Sequence, residues 1–321
     1  MRQATGALTN ATLGQVCRLV TDGTHDTPKR VDLGYPLIKA KEIVGGQIDF
    51  DSCDQISEED HLKVISRSKP EAGDTLFAHI GASLGEAAYV GTSREFSIKN
   101  IALFKPNPAI VVPRYLYYLV VSPDFQALAK GSRTGSAQPF LSLGHLRSHP
   151  VRYHRDLAVQ RRIASILSAY DDLIENNTRR IAILEEMARR IYEEWFVRFR
   201  FPGHECVRMI ESELGLVPEG WRRLPVTDVA AFKYGKGLPT KHLADDAPFP
   251  VYGASKIIGH YTEYTREDRT LIVGCRGSVG VPQITLPRCF VTNNSFTTDP
   301  VHPAGQIWLY LLLQSRGLKD V

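Results

Sequence analysis

The sequence has few cysteines, and no two of them stand at the spacing of a metal or redox motif. The five cysteines lie at positions 17, 53, 206, 275 and 289. The absence of a C-x-x-C pair argues against a zinc knuckle, and an odd, scattered set argues against a disulfide framework. We therefore expect reduced cysteines that serve as small apolar side chains, a cytoplasmic location and no bound metal.

Long apolar runs and a dominant charge are also absent. The densest apolar run, Ile307 to Leu313, is far shorter than the ~20 residues that a membrane span needs. The N-terminus lacks the apolar stretch of a secretory signal, so we expect neither export nor a membrane partner. Lysine and arginine total 39 against 35 acidic residues, for a net charge of +4. Any nucleic-acid surface must therefore be assembled by folding, because no basic tail supplies it.

Motifs of the common catalytic classes are missing as well. The chain contains no P-loop, no G-x-S-x-G nucleophile elbow and no H-E-x-x-H. The segment Asn107-Pro108-Ala109-Ile110 departs from the Asn-Pro-Pro-Tyr type of amino-methyltransferase motif at its third position. The glycines around Gly81 and Gly85 do not form a dinucleotide fingerprint. We expect a chain with no catalytic residues and no cofactor of its own.

The clearest pattern is a long helix over residues 155–201, which contain no glycine or proline between Leu157 and Phe201. Apolar residues recur there at heptad spacing, which predicts a coiled-coil seam. A helix of ~45 residues would be roughly 65 Å long and cannot bury its own stripe, so it needs a partner helix. The predicted seam positions are Leu167, Tyr170, Ile174, Asn177, Ile181, Leu184, Ala188, Ile191 and Trp195.

The segments on either side of this helix, residues 1–154 and 202–321, resemble one another. Each has short apolar runs bounded by glycine, proline and asparagine, which predicts an α+β domain of short strands and small helices. Thr75-Leu76 aligns with Thr270-Leu271, and the block Phe96–Pro106 aligns with Phe290–Pro300. The order of these matches predicts two copies of one domain, the second of them incomplete at its C-terminal end.

Four stretches of the sequence are distinctive. They are Asp22-Gly23-Thr24-His25-Asp26-Thr27-Pro28, Gln160-Arg161-Arg162-Ile163-Ala164-Ser165-Ile166-Leu167, Trp195-Phe196-Val197-Arg198-Phe199-Arg200-Phe201-Pro202-Gly203 and Pro218-Glu219-Gly220-Trp221. Together they resemble the type I restriction-modification specificity (S) subunits. The resemblance implies two target recognition domains, each reading half of a bipartite target in double-stranded DNA. It also implies a central helix that docks methyltransferase (modification) subunits, which bind S-adenosylmethionine, and a complex joined by a restriction/translocase subunit.

The chain departs from the family pattern because a second conserved helix, antiparallel to the first, is absent. This departure suggests self-association through the exposed seam. Two alternatives remain: a coiled-coil assembly protein with no DNA role, and a fragment of a fused methyltransferase-nuclease.

DNA contacts require side chains that reach phosphates or base edges, which favours lysine, arginine, hydroxyls and amides in loops. In the first domain the candidates are Thr24, His25, Lys29, Arg30, Lys39, Lys41, Ser83, Arg133, Ser136 and Gln138. In the second domain they are Ser255, Lys256, Arg276, Ser278, Asn293 and Asn294.

Overall fold

The computed structural model describes residues 8–131, 140–213, 215–222, 224–301 and 305–316. The chain forms two compact units, residues 1–175 and 176–321, and its longest helix begins in the first unit and ends in the second. Short strands and small helices make up both units, which confirms the predicted α+β class with a long central helix.

The first unit begins with a strand and leads into the long helix. Its strands are β1 (Leu8–Thr12), β2 (Cys17–Asp22), β3 (Arg30–Val31), β4 (Tyr35–Ile38), β5 (Ile43–Val44), β6 (Gln47–Ile48), β7 (Asp54–Ile56), β8 (Thr75–Phe77), β9 (Ala87–Tyr89), β10 (Ser97–Ile98), β11 (Ala102–Pro106) and β12 (Pro150–His154). Its helices are α1 (Leu13–Val16), α2 (Glu58–Ser68), α3 (Pro113–Val121), α4 (Pro123–Gly131), α5 (Leu143–Ser148) and α6 (Leu157–Tyr192).

The second unit contains the end of α6 and a shorter set of elements. Its strands are β13 (Met209–Ser212), β14 (Gly215–Pro218), β15 (Ala230–Tyr234), β16 (Phe249–Tyr252), β17 (Ile257–Tyr261), β18 (Leu271–Gly274), β19 (Pro282–Ile284), β20 (Phe290–Val291) and β21 (Ser295–Pro300). Its remaining helices are α7 (Val226–Val229) and α8 (Gly305–Arg316).

The internal repeat is visible in the strand order. An antiparallel sheet β2-β11-β8-β9 in the first unit has its counterpart in the sheet β15-β21-β18-β19 of the second. The parallel pair β4 and β10 likewise corresponds to the parallel pair β16 and β20. Two sheets with the same order and the same strand directions confirm that the chain carries two copies of one domain.

When the two repeats are aligned by their strands, one block lies one residue away from its position in the sequence alignment. Leu76 packs in a cluster with Ile98, on the face of the sheet turned away from α3. Its structural counterpart is Ile272, which packs with Val291, whereas Leu271 lies on the opposite face against α8. The alignment of Leu76 with Leu271 was therefore wrong, because a slip of one residue in a strand exchanges the two faces of the sheet.

A single buried glutamine fixes the start of the long helix. The side chain of Gln160 is fully buried, and its Oε1 accepts a hydrogen bond of 2.7 Å from the backbone N–H of Val112. Its Nε2 donates to the carbonyl oxygens of Ile110, at 2.9 Å, and His154, at 2.7 Å. One amide thus joins the loop before α3, the end of β12 and the first turn of α6.

A second polar contact lies three turns further along α6. The Tyr118 hydroxyl donates a hydrogen bond of 2.6 Å to the Asp171 carboxylate, and Arg114 lies 3.5 Å from the same group. The Arg114 guanidinium in turn stacks over the ring of Tyr89 at 4.4 Å. Burial, reinforced by the Asp171 carboxylate, raises the pKa of Tyr118 to about 12, so its hydroxyl stays a donor at neutral pH.

The predicted seam of the long helix is largely open to solvent. The side chains of Leu167, Tyr170, Ile174, Asn177, Ile181, Leu184, Ile191 and Trp195 are exposed, and Ala188 is half-buried. A stripe of this size costs free energy when it is left in water, so the seam has the character of a surface that requires a partner.

The helix ends earlier than the sequence suggests. The α-helix stops at Tyr192 and is followed by a π-helical turn, Glu193–Val197, well before Pro202. Beyond it, Phe199 adopts a positive φ of 57° and its ring meets that of Trp221 at 5.1 Å. The aromatic motif that follows the helix therefore packs against Trp221.

We predict that Gln160→Leu destabilises the first unit by about 3 kcal/mol, since it removes the three part-buried hydrogen bonds between the amide and backbone groups. The measurement is hydrogen exchange of the full chain, resolved by segment, with faster exchange expected at Val112 and in the first turns of α6. The matched control is Arg161→Leu at the adjacent exposed position. Equal exchange in the two variants would contradict the role of the glutamine.

Candidate nucleic-acid interface

In the first unit, the candidate site lies where the carboxyl ends of two parallel strands meet. Strands β4 and β10 end side by side, next to the hairpin loop between β8 and β9. A cavity of about 280 Å³ opens there, and among the side chains that line it are Lys39, Lys41, Ser83, Lys99 and Asn100. We call these five residues the first pocket. Three of them, Lys39, Lys41 and Ser83, were predicted from the sequence.

Acidic side chains compensate much of the positive charge beside the first pocket. Asp54 pairs with Lys39 and, at 3.0 Å, with Arg30. The hydrogen bond from Lys39 lowers the pKa of Asp54, so this carboxylate is ionised at neutral pH. Lys41 lies 3.1 Å from the fully buried carboxylate of Glu42. Arg30, Lys39 and Lys41 are therefore each paired with a carboxylate.

A turn next to the first pocket is held by backbone hydrogen bonds. The N–H of Thr24 donates to the carbonyl of Ile98 at 3.0 Å, and the N–H of Asn100 donates to the carbonyl of Thr24 at 3.1 Å. The turn requires glycine at position 23, because an added Cβ would overlap the Ile98 carbonyl oxygen. His25 extends from this turn to the side chain of Asn100, at 2.8 Å.

The remaining candidates of the first unit are more scattered. Lys29 is exposed, in the segment between the Thr24 turn and β3. Arg133, Ser136 and Gln138 lie outside the described residues. Sequence reasoning left Lys99 out of the candidate set, although it stands in the repeated Phe96–Pro106 block.

The second unit repeats the same turn. The N–H of Lys236 donates to the Val291 carbonyl at 2.9 Å, and the N–H of Asn293 donates to the Lys236 carbonyl at 3.1 Å. Lys236 and Asn293 therefore stand where Thr24 and Asn100 stand in the first unit. Gly235 is the counterpart of the constrained glycine, since its Cβ would overlap the Thr292 carbonyl.

The candidates of the second unit meet at this turn. The backbone N–H groups of Cys275 and Arg276 both donate to the Asn294 carbonyl, at 2.9 and 3.2 Å. The carbonyl oxygen of Ser278 lies against Gly274, where it would overlap the Cβ atom of any other residue. The tight turn that closes with a 2.9 Å bond from Gly253 to Lys256 supplies the rest of the set. We call Lys236, Ser255, Lys256, Arg276, Ser278, Asn293 and Asn294 the second loop cluster; all but Lys236 were predicted.

Charge distinguishes the two sites. Within the described ranges, no carboxylate pairs with Lys236, Lys256 or Arg276. The second loop cluster thus presents uncompensated cations to solvent, whereas the first pocket is a mixed basic and acidic surface. The first arrangement suits base edges that both donate and accept hydrogen bonds, and the second suits phosphates.

Other kinds of site are not supported in the described part of the chain. No group of three or more His, Cys, Asp or Glu residues there could hold a metal ion. Among the helices described, none combines the length and apolar character required to cross a bilayer. All five cysteines are free thiols, and burial raises the pKa of Cys17 to about 12.

Comparisons with known proteins agree with the architecture. A family model described as type I restriction modification DNA specificity domain matches residues 8–186. The MjaIX type I restriction enzyme specificity subunit of Methanocaldococcus jannaschii is 31% identical over 238 residues, covering 68% of this chain and 54% of that protein. The HindI specificity subunit of Haemophilus influenzae is 27% identical over 151 residues, covering 45% of this chain and 32% of that protein.

A solved structure shares the fold. The crystal structure of the type I restriction-modification S subunit from M. genitalium aligns with a TM-score of 0.59 at 15% identity, covering 98% of this chain and 78% of that one. At that identity the likeness concerns the fold alone. The chain spans about half the length, or less, of these two curated relatives.

We predict that Gly23→Ala and Gly235→Ala each destabilise their own unit by about 2–3 kcal/mol, because the added methyl group displaces a strand carbonyl. Segment-resolved hydrogen exchange will show faster exchange near β10 for the first variant and near β20 for the second. Gly144→Ala, in α5 with room for a methyl group, is the control and should leave both units unchanged. Normal exchange in either test variant would show that the turn is not constrained as described.

Proposed function

The chain belongs to the family of type I restriction-modification DNA specificity domains, and we propose that its two units read the two halves of a bipartite target in double-stranded DNA. The family provides sequence specificity and not catalysis, so the chain is a recognition component of such a system. Chemistry on the DNA belongs to other subunits.

The observation that carries this proposal is the duplication of the site. The first pocket and the second loop cluster occupy the same edge of two copies of one fold. Each combines cations with hydroxyl and amide groups, which are the side chains that bind phosphates and base edges. A chain with two equivalent but chemically different sites fits a ligand with two different halves.

The exposed seam of α6 supports the proposal about protein partners. Its apolar side chains run from Leu167 to Trp195, alongside charged positions that remain in solvent. We infer that this seam binds helices of the modification subunits or of a second copy of this chain. S-adenosylmethionine would then be held by the modification subunit, and a restriction/translocase subunit would join the assembled complex. With cellular DNA as its ligand, the complex would act in the cytoplasm.

The alternative of a coiled-coil assembly protein without a DNA role accounts for the seam alone. It leaves unexplained why the loop chemistry is repeated in both units. A fragment of a fused methyltransferase-nuclease is disfavoured because the matched family is one of specificity domains.

The test is selection of DNA from a random duplex library by the chain co-purified with type I modification subunits, at a stated salt concentration. We expect a split consensus with two specified halves. In the same complex, Arg276→Gln and Lys99→Gln remove site cations that pair with no carboxylate in the described part of the chain. Each should lower the slope of log affinity against log salt by about 0.9, the contribution of one phosphate contact.

Matched controls are Arg288→Gln and Lys63→Gln, exposed cations of the same units outside the two sites; each pairs with a nearby glutamate. These controls should leave the salt slope unchanged. Selection of unrelated sequences, or equal slopes for test and control variants, would refute the DNA-reading role.

The seam gives a separate prediction. Ile174→Lys combined with Leu184→Lys should weaken association of the chain, with modification subunits or with itself, by tenfold or more (about 1.4 kcal/mol), because it places two charges in an apolar interface. Sedimentation velocity of the chain alone and of the mixture measures both associations. Asp172→Lys, on the outer face of the heptad, is the control. A double variant that associates as well as the control would exclude the seam as the interface.

A further inference from the structure

A chain of polar contacts leads from a buried carboxylate to the first pocket. The side chain of Asp22 is only 5% exposed and pairs with Arg67 from α2. His25 Nε2 lies 3.0 Å from the other Asp22 oxygen, and His25 Nδ1 lies 2.8 Å from Oδ1 of Asn100. Asn100 lines the first pocket. The imidazole therefore connects a fixed negative charge with an amide that faces the cavity.

The repeat shows that the fold does not need this chain of contacts. In the second unit the same turn forms around Gly235, but Tyr234 replaces the aspartate and Gly237 replaces the histidine. Tyr234 packs on the ring of Phe296 at 4.4 Å instead. The turn closes without the histidine there, so the backbone geometry does not require His25.

The two contacts of His25 couple its protonation state to the orientation of the Asn100 amide. An oxygen acceptor faces each ring nitrogen, and a ring that donates at both positions carries two protons. A neutral imidazole has a single N–H, which the Asp22 carboxylate retains as the stronger acceptor. Nδ1 then becomes an acceptor, and the amide of Asn100 must rotate so that Nδ2–H donates to it.

We propose that His25 is a positioning residue that sets, through its protonation, whether Asn100 offers a hydrogen-bond donor or an acceptor to DNA in the first pocket. With the charged ring, Asn100 Oδ1 is engaged and its NH₂ group is free to donate. With the neutral ring, the NH₂ group is engaged and Oδ1 is free to accept. Major-groove base edges differ in this donor and acceptor pattern, so the preferred base changes with the state of the ring.

The backbone at Asn100 suits such a switch. Its φ of 54° lies in the left-handed region, which asparagine tolerates better than most residues. Its N–H is bound to the Thr24 carbonyl at 3.1 Å, so the main chain is held and only the side-chain amide turns. This switch rests on the proposed DNA-reading function. The coupling between the protonation of His25 and the orientation of the Asn100 amide can nevertheless be measured without DNA.

Other titratable and charged groups surround the ring. Asp22 lies at the end of β2, and Arg67 approaches from α2. His79, after β8, has its pKa lowered by burial and donates from Nδ1 to the Leu141 carbonyl, so it remains neutral. The Lys99 ammonium binds the Thr27 hydroxyl. The Asp22 carboxylate is thus shared between the Arg67 guanidinium and the His25 ring.

The first experiment is nuclear magnetic resonance of the full chain with labelled histidine and asparagine, from about pH 5.5 to about pH 8.5. We expect the Asn100 NH₂ resonances to shift with the same midpoint as the His25 ring. His25→Gln identifies the ring signals and should abolish the shift, while Asn100→Asp identifies the amide. An Asn100 signal that stays constant, or a His25 ring that does not titrate, would overturn the proposal; the unaltered chain alone decides this.

The second experiment repeats the library selection with the assembled complex at about pH 6 and about pH 8. We expect the preference at one base pair of the first half-site to change about tenfold, with the second half-site constant, and no change for His25→Gln. A split consensus that is identical at both pH values would overturn the switch and leave the DNA-reading function intact. Coupled titration without any sequence selection would overturn the DNA-reading function and, with it, the reading role of Asn100.

Discussion

The buried amide of Gln160 is the contact on which the rest of the first unit's geometry depends. From the first turn of α6 it bonds two backbone groups of the loop before α3, at Ile110 and Val112, and one at the end of β12, at His154. A helix longer than its domain has little else to fix its direction where it leaves the core. Further along, the Tyr118–Asp171 hydrogen bond holds the next turns, and beyond it the apolar stripe is open.

Much of this architecture was predictable because it is periodic. The heptad stripe and the repeated domain both follow from spacings in the sequence. Within each unit, strand ends that meet at one edge of a sheet bring loop residues together, Lys39 with Ser83 in the first unit and Arg276 with the Asn293 turn in the second. What could not be predicted depends on single contacts. Gln160 appeared only within a family-like motif, and no spacing in the sequence indicates the π-helical turn Glu193–Val197 or the contact of Phe199 with Trp221.

The two sites show how one backbone supports two kinds of surface. Both place a constrained glycine and an asparagine at equivalent points of the same turn, because the parallel strand pair requires that geometry. The side chains around the turn are free to differ, and they do. Carboxylates pair with Lys39 and Lys41 in the first unit, whereas among the described residues none pairs with Lys236, Lys256 or Arg276 in the second. Lys99 and Lys236 were missed because their neighbours become visible only once the repeat is superposed by strand register.

The tryptophans around the end of α6 are distributed unevenly between the two units. All three tryptophans, Trp195, Trp221 and Trp308, belong to the second unit, and two of them contact the ring of Phe196. The first unit contributes only tyrosine and phenylalanine chromophores. Fluorescence excited at the red edge of the tryptophan absorption band therefore reports on the second unit. Unfolding of the first unit, or binding to it, gives no direct signal in that fluorescence unless a probe is added to it.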